Sequence, residues 1–569
     1  MSTIDFIDFR GMRPGRSPKL LGPSYSVIAL NAYMETGAIS PDYGPSEEYT
    51  LGKSGTINTL YLIKPGTWCH WTENVNVARM PIENNVNNRI AFTGTDKPRA
   101  TDSIKATAGG GSNYPEVSYA LGVPVPDNIL DVTAVVSDPA GSLHVQWDIA
   151  GQIEDTTAGR LGRVYTYTYV TPWGEEGPPA DPSHIVYAND DEEIHISNFA
   201  GQPSGDYQTM SVRIYRLLSG SAGDTEYLFV DEVALPVSEP YIDNVPDSSL
   251  GEALQTATWT APPTGLRGIT TMANGMMAGF IENDLYFCEP YHGHAWPEDY
   301  RRTVDFKIVG LASSGNMLFV MTEGYPYIAV GNHPTVISLN KMTRAPACVS
   351  APSIVDMGSG AIYASNEGLC AISASGVQVV SREVMPERFW RQLNPSTMHG
   401  SFYKHRYVGF YVADADIYPP DSATGEPLPQ YGMFQFDMAA MEVRFSSEWG
   451  PASYGDMMSA DVFYTKQDAG TNKLYRWAGD SESPLDFVWR SGTKVTQILN
   501  VDSARVDARA YPVTFRLYVY GELKHTQTVT SREPFRLPSG YLARDWSVEI
   551  EGSTTVDGVF LATDIDDLT

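Results

Sequence analysis

The sequence predicts an all-β chain, on three observations. Short β-rich runs, each broken by a tight turn and followed by a second run, recur at roughly 40–45 residues. Between Gly- and Pro-rich breaks in the first half, strands of strict two-residue alternation appear, and one short segment alone reads as a helix. The recurrence is that of four-stranded β-propeller blades, and the alternating stretch reads as an inserted β-sandwich of the fibronectin or immunoglobulin kind. The end of the chain reads as a C-terminal β-sandwich-like region. The expected organisation is an extended N-terminal arm over residues 1–25 and first propeller units over 26–125. The inserted sandwich follows over 126–262, the remaining blades over 263–482, and a C-terminal β-rich domain over 483–569.

Residues 1–25 place Arg10, Arg13, Arg16 and Lys19 among Gly11, Pro14, Gly15, Pro18, Gly22 and Pro23. Such a composition disfavours strand and helix, so an arm docked on a neighbouring surface is expected, with these four cations as the partner-binding candidates. Without interleaved aromatics they are weak as a nucleic-acid signal. Removing residues 1–22 is expected to leave the remainder folded.

Hairpin units follow at Thr59–Trp71, with Pro65-Gly66 at the bend, and at Arg89–Arg99. Gly109-Gly110-Gly111 and Pro124-Val125-Pro126 lead into the insertion, and Ala261-Pro262-Pro263 closes it. Inside it, Arg163–Val170 alternates Tyr with Val or Thr, Met210–Arg216 alternates apolar with polar, and Glu226–Val230 is a third strand. The acidic run Asp190–Glu193 reads as a solvated turn, because its spacing is not that of a calcium loop.

The clearest hairpins are Gly275–Pro290, Gly315–Val330 and Gly360–Ser373. Pro386–Leu393 is the one expected helix, ended by Asn394-Pro395. Strands at Arg406–Val412, Met433–Asp437 and Leu474–Trp477 continue the series. Val513–Tyr520 and Trp546–Glu551 alternate in the terminal region.

Composition limits the function. With 68 acidic against 39 basic residues the formal charge is −29, which opposes wrapping of DNA or docking on anionic lipid. Asp5 and Asp8 interrupt what a secretory signal would need, and no apolar run approaches a membrane span, so no membrane anchor is expected. Cys69, Cys288, Cys348 and Cys370 form no CxxC pair and read as buried thiols of a protein made in a reducing cytoplasm.

The catalytic and cofactor motifs are broken. Gly52-Lys53-Ser54 has Glu47 where a phosphate loop needs glycine. Neither a G-x-S-x-G elbow nor H-E-x-x-H occurs. His292 and His294 could begin a metal site, but no third ligand accompanies them, and a structural role is the simpler reading. Lys64-Pro65-Gly66-Thr67-Trp68 only faintly matches the sialidase aspartate box. No catalytic residue, metal or cofactor is expected, and the chain is not expected to be an enzyme.

Several stretches, taken in order, resemble the tail nozzle, or tail tubular, proteins of short-tailed bacteriophages. They are Arg10-Gly-Met-Arg-Pro14 with Leu20-Leu21 and Ala29-Leu-Asn31; Arg89–Gly94 with Pro98–Asp102; Tyr114-Pro115 with Leu121–Pro124; Tyr165–Pro179; Asn274-Gly275 through Phe287–Pro290 with Ala295–Pro297; and Cys348–Ser350 with Tyr363–Leu369. The resemblance covers roughly residues 9–410, and its specificity lies in the order of the pieces. It implies a structural virion protein of the tail, made in a bacterial host, whose copies form a six-fold ring below the head-to-tail adaptor or portal. Tail fibre or spike proteins would be neighbours, and viral DNA would pass through the channel during ejection. The competing readings are a tail adaptor or receptor- or glycan-binding propeller and, behind it, a glycan-cleaving enzyme. An enzyme would require a pocket of carboxylates, arginines and aromatics.

Overall fold

The computed structural model describes residues 3–568 apart from 23, 83–84, 138–142, 147–160, 190–191, 220–224, 418–426, 479–482 and 539–540. Asp190 and Asp191 of the acidic run lie outside the described residues. The chain is nearly all-β, in many antiparallel sheets, and its α-helix Glu387–Gln392 falls within the segment expected to be helical. That helix buries Phe389 and Trp390, which explains why so short a piece persists.

Each expected hairpin forms, and three of them sit in four-stranded sheets built from consecutive strands, here named by residue span: 267–303, 308–341 and 355–379. The strands of sheet 76–120 are also consecutive. The middle strands are apolar on both faces; Gly360–Ser365 is buried at every position. Such a strand needs a neighbour above and below it. Apolar clusters supply both. Leu266, Met277 and Trp296 pack against Ala78, Met80 and Ala91 of sheet 76–120, Phe280 and Leu285 against Leu318 and Val320, and Phe319 and Met321 against Ala361 and Tyr363.

Further strands continue these contacts. Strand His399–Tyr403 lies against Val355–Asp356, Ser453–Asp456 against His399–Tyr403, and Thr59–Lys64 of the Thr59–Trp71 hairpin against Ser453–Asp456. Trp71 with Phe92 then joins that hairpin to sheet 76–120. The first strands approach closely: a Cβ on Gly455 would lie 2.4 Å from the Phe402 carbonyl oxygen, so glycine is required there. The outermost strand of sheet 453–476 is Ser46–Leu51, paired antiparallel with Thr471–Arg476. An early segment thus completes a late sheet.

Between strands Tyr119–Ala120 and Arg267–Thr271 the chain forms a sheet from Asp131–Ser137, Leu143–Gln146, Glu193–Ser197 and Tyr241–Asp243 and another from Tyr165–Val170, Ser211–Ser219 and Thr225–Ala234. They share one apolar cluster that includes Val132, Ile196, Tyr165, Tyr167 and Ile214.

The ends of the chain depart from expectation. Thr3–Phe6 is a strand paired with Val556–Ala562, and Ser26–Leu30 pairs with Phe487–Ser491. Through Ser26–Leu30, a ten-stranded sheet runs from strands 399–446 into the C-terminal strands. Ile4, Phe6, Phe9 and Met12 are fully buried in the largest apolar cluster, beside Trp489, Phe445 and Val559. Residues 1–25 are therefore not a peripheral arm: the spacing of these apolar residues makes the segment a wall of the core. Removing residues 1–22 should therefore unfold the C-terminal region. Phe6→Ala alone should cost about 3–5 kcal/mol, read as a lowered urea midpoint at unchanged slope; a midpoint within error of the parent would return the segment to the surface.

Candidate functional site

Three of the four cations expected to bind a partner are held by their own chain. Arg13 lies over the Tyr25 ring at 4.0 Å and donates to the Ala440 carbonyl at 2.8 Å. Arg10 is 5.7 Å from the same ring and 3.3 Å from Asp8. Lys19 Nζ sits 2.5 Å from Asp545 Oδ2. Arg16 is exposed. Gly492 N donates to Tyr25 O and Thr493 N to Pro18 O, which ties the segment to the link between strands Phe487–Ser491 and Lys494–Asn500.

The Gly52-Lys53-Ser54 stretch has a structural use. Lys53 Nζ donates to the carbonyls of His70 and Tyr114, and burial lowers its pKa. His292 Nδ1 is 3.0 Å from Pro290 O, His294 Nε2 is 3.2 Å from Glu176 O, and their rings, 5.8 Å apart, both pack on Trp259. Among the described residues no three His, Cys, Asp or Glu side chains group to hold a metal. The four cysteines are buried and free, and burial pushes the thiols of Cys69, Cys288 and Cys348 up to about 12.

A cleft of about 30 Å³ contains the carboxylates and arginines an enzyme reading asks for, Glu35, Asp437, Glu442, Arg406 and Arg444, but no aromatic side chain lines it. Glu442 and Asp437 face each other across a hairpin end and differ in acidity. Burial raises the Glu442 pKa, whereas at Asp437 burial is outweighed by the Ala440 N–H and Arg406, which lower it. Each carboxylate is engaged, however. Glu35 takes Tyr33 OH at 2.6 Å and Arg406, Asp437 takes Arg406 Nε at 2.8 Å, and Glu442 takes Gly11 N–H at 3.2 Å. The volume admits about one water. The cleft ties residues 11 and 32–42 to strands 406–444, and no sequence spacing announced it.

The third constellation is a junction. Arg89 NH1 meets Glu175 Oε1 at 2.9 Å and its guanidinium stacks 4.3 Å from the Trp173 ring, whose Nε1 donates to Asp102 at 3.3 Å. Glu175 is buried, and burial raises its pKa against the pull of Arg89. Next to it Glu176 accepts from Thr168 and Tyr215 at 2.7 and 2.6 Å and pairs with Arg213 at 2.7 Å. Gly122 has φ +96°, and a Cβ there would meet Ala261 at 2.6 Å; one on Gly177 would meet Val123 at 2.6 Å. Trp296 N donates to Thr260 O at 2.7 Å. Segments far apart in sequence thus converge where the strands of 131–243 meet sheets 76–120 and 267–303.

No family model matches the chain, and no curated protein sequence does. Among solved structures it is similar to an exo-β-1,3-galactanase of Phanerochaete chrysosporium, with 8% identity and a TM-score of 0.20 over 69% of this chain and 98% of that one. It is also similar to the N-terminal domain of Nup159, with 10% identity and a TM-score of 0.23 over 59% and 86%. A third is the AfRom2 CNH domain, with 11% identity and a TM-score of 0.21 over 46% and 93%. Likenesses of this size carry no argument about fold or activity.

Two measurements follow. Burial depresses the pKa of His70 and His399 to about 4 and that of His294 to about 3. The unfolded chain, with histidines near 6.5, then binds more protons, so the stability these neutral rings allow is present above pH ~6.5 and is lost as pH falls. Raised carboxylates such as Glu175 and Glu442 act oppositely, from their raised folded pKa down to their unfolded value, a window that overlaps that of the histidines. Between pH ~6.5 and ~5 these histidines should therefore lower stability by roughly 1 kcal/mol each per pH unit; an NMR titration of the folded chain in which any of these rings protonates near pH ~6.5 would refute the buried neutral state. A chelator should leave the melting temperature unchanged, and a marked fall would assign a metal to His292 and His294.

Proposed function

We propose that this chain is a structural subunit of a phage tail nozzle, part of a six-fold ring that extends the head-to-tail channel and conducts the genome. In this reading the cyclic series of sheets is a β-propeller of seven blades. The strands of 131–243 form the inserted fibronectin- or immunoglobulin-like sandwich, and the C-terminal strands, joined by Thr3–Phe6 and Ser26–Leu30, form a second one.

One observation carries the reading. Most of the stretches that resemble the nozzle family between residues 89 and 297 meet at the junction: Arg89, Asp102, Gly122, Trp173, Glu175, Gly177 and Trp296 all contribute to it. What is shared is then a device that fixes one body against another, which suits a ring subunit and has no use in a substrate pocket. The charge supports the same reading. A subunit of net charge −29 repeated around a channel repels phosphates, so DNA slides without being held through counterion release.

The glycan-enzyme reading draws on the acidity difference between Asp437 and Glu442. Against it stand the partners that engage every carboxylate there and a volume suited to one water.

The deciding experiment is an antibody to this chain on virions, combined with a six-fold average of the tail. Label on the tail axis with density in the channel wall is expected. Label on side-projecting spikes, or a channel wall without this chain, overturns the assignment.

A further inference from the structure

Strands Phe487–Ser491, Leu542–Gly552 and Val513–Val519 lie side by side in the ten-stranded sheet. Trp489, Ile550 and Phe515 enter the largest apolar cluster, so by alternation their neighbours Arg490, Glu549 and Arg516 face the other way. The register sets Arg490 and Arg516 on either side of Glu549. One carboxylate thus stands between two guanidinium groups, and its hydrogen bonds serve only one of them. Glu549 Oε1 accepts from Arg516 NH1 at 2.8 Å, and Oε2 accepts from Tyr518 OH at 3.1 Å. Arg516 reaches Glu551 as well, at 2.6 Å. Arg490 instead lies on the Tyr518 ring, 3.6 Å from its centroid, and is 5% exposed. Its Nε and NH1 are buried and have no hydrogen-bond partner among the described residues.

A guanidinium cannot shed its charge as a buried carboxyl or imidazole does, so burying one without a pair is costly. The aromatic face returns only part of that cost. Elsewhere the chain pairs such a group: Arg216, fully buried, meets Asp243 at 2.8 Å and Asp247 at 3.0 Å. We propose that Arg490 anchors an anion site for a small oxyanion of the phosphate or sulfate kind. The donors set the ligand class, since guanidinium N–H groups match oxyanions in charge and geometry. Exposure sets its size: the small part of Arg490 at the surface admits an ion but neither a chain segment nor a nucleic acid. Glu549 limits the affinity, because its negative charge lies beside the ion. The site does not depend on the nozzle reading and stands whether or not copies of the chain form a ring.

Calorimetric titration of the full chain with inorganic phosphate near pH ~7, at an ionic strength of about 0.15 M held with chloride, tests it. Saturable binding with a Kd of about 1 mM is expected, and the melting temperature should rise with phosphate accordingly. R490M, which puts an apolar chain of similar length in place of the charge, should bind about tenfold more weakly or worse. R388M, at an exposed arginine of the short helix, should bind as the parent does. E549Q removes the neighbouring negative charge in the same shape and should bind severalfold more tightly. Misfolding cannot produce such a gain, so E549Q decides the case should R490M fail to fold. A parent without saturable binding up to about 50 mM phosphate overturns the proposal. So does a folded R490M that binds as the parent does, or an E549Q that binds no more tightly. DNA binding by the parent that R490M loses would give Arg490 to nucleic acid and overturn it too.

Discussion

A sheet whose two faces are both apolar cannot end a stack, and this constraint organises the chain. Strands such as Gly360–Ser365 and Met317–Thr322 bury side chains on both sides, so their sheets each need a neighbour on both faces. Some sheets are completed by segments distant in sequence. Ser46–Leu51 completes the sheet of 453–476, and Thr3–Phe6 completes the sheet of 556–562. Contacts of this span make loop closure the main entropic cost of folding, so the ends should join late and the chain should fold slowly. The first and last residues are then among the most consequential for stability, although termini are commonly expendable.

What could be read in the sequence was local. A hairpin declares itself through alternation and turn residues within a dozen positions, and Pro65-Gly66, with Gly66 at φ +75°, and Gly315 at φ +58° do what the turns require. The helix at Glu387–Gln392 and the buried thiols were legible for the same reason. Pairing partners were not, because nothing in Ser46–Leu51, a polar and half-exposed strand, points to Thr471–Arg476. The first 25 residues misled through composition: Gly and Pro break regular structure after Phe6, but Phe9 and Met12 still enter the core. Arg10 lies between those anchors and Arg13 and Lys19 shortly follow them, so their partners are intramolecular. The cleft of Glu35, Arg406 and Glu442 has no sequence signature, since its members come from three separate stretches.

The junction around Arg89 and Glu175 raises a different question, why charges are buried where apolar side chains would pack at less cost. A buried pair recovers little net stability after desolvation, yet removing one partner is expensive. Its use is geometric. Apolar contacts between the strands of 131–243 and their neighbouring sheets would tolerate a range of angles, whereas Arg89 on Glu175, Trp173 on Asp102 and His294 on the Glu176 carbonyl are satisfied together at one angle only. Gly122 and Gly177 then let the backbones close to that distance. In the ring we propose, an error of orientation would recur in each copy and would have to be absorbed where the ring closes. An orientation held by directional bonds rather than by area is therefore worth the desolvation it costs.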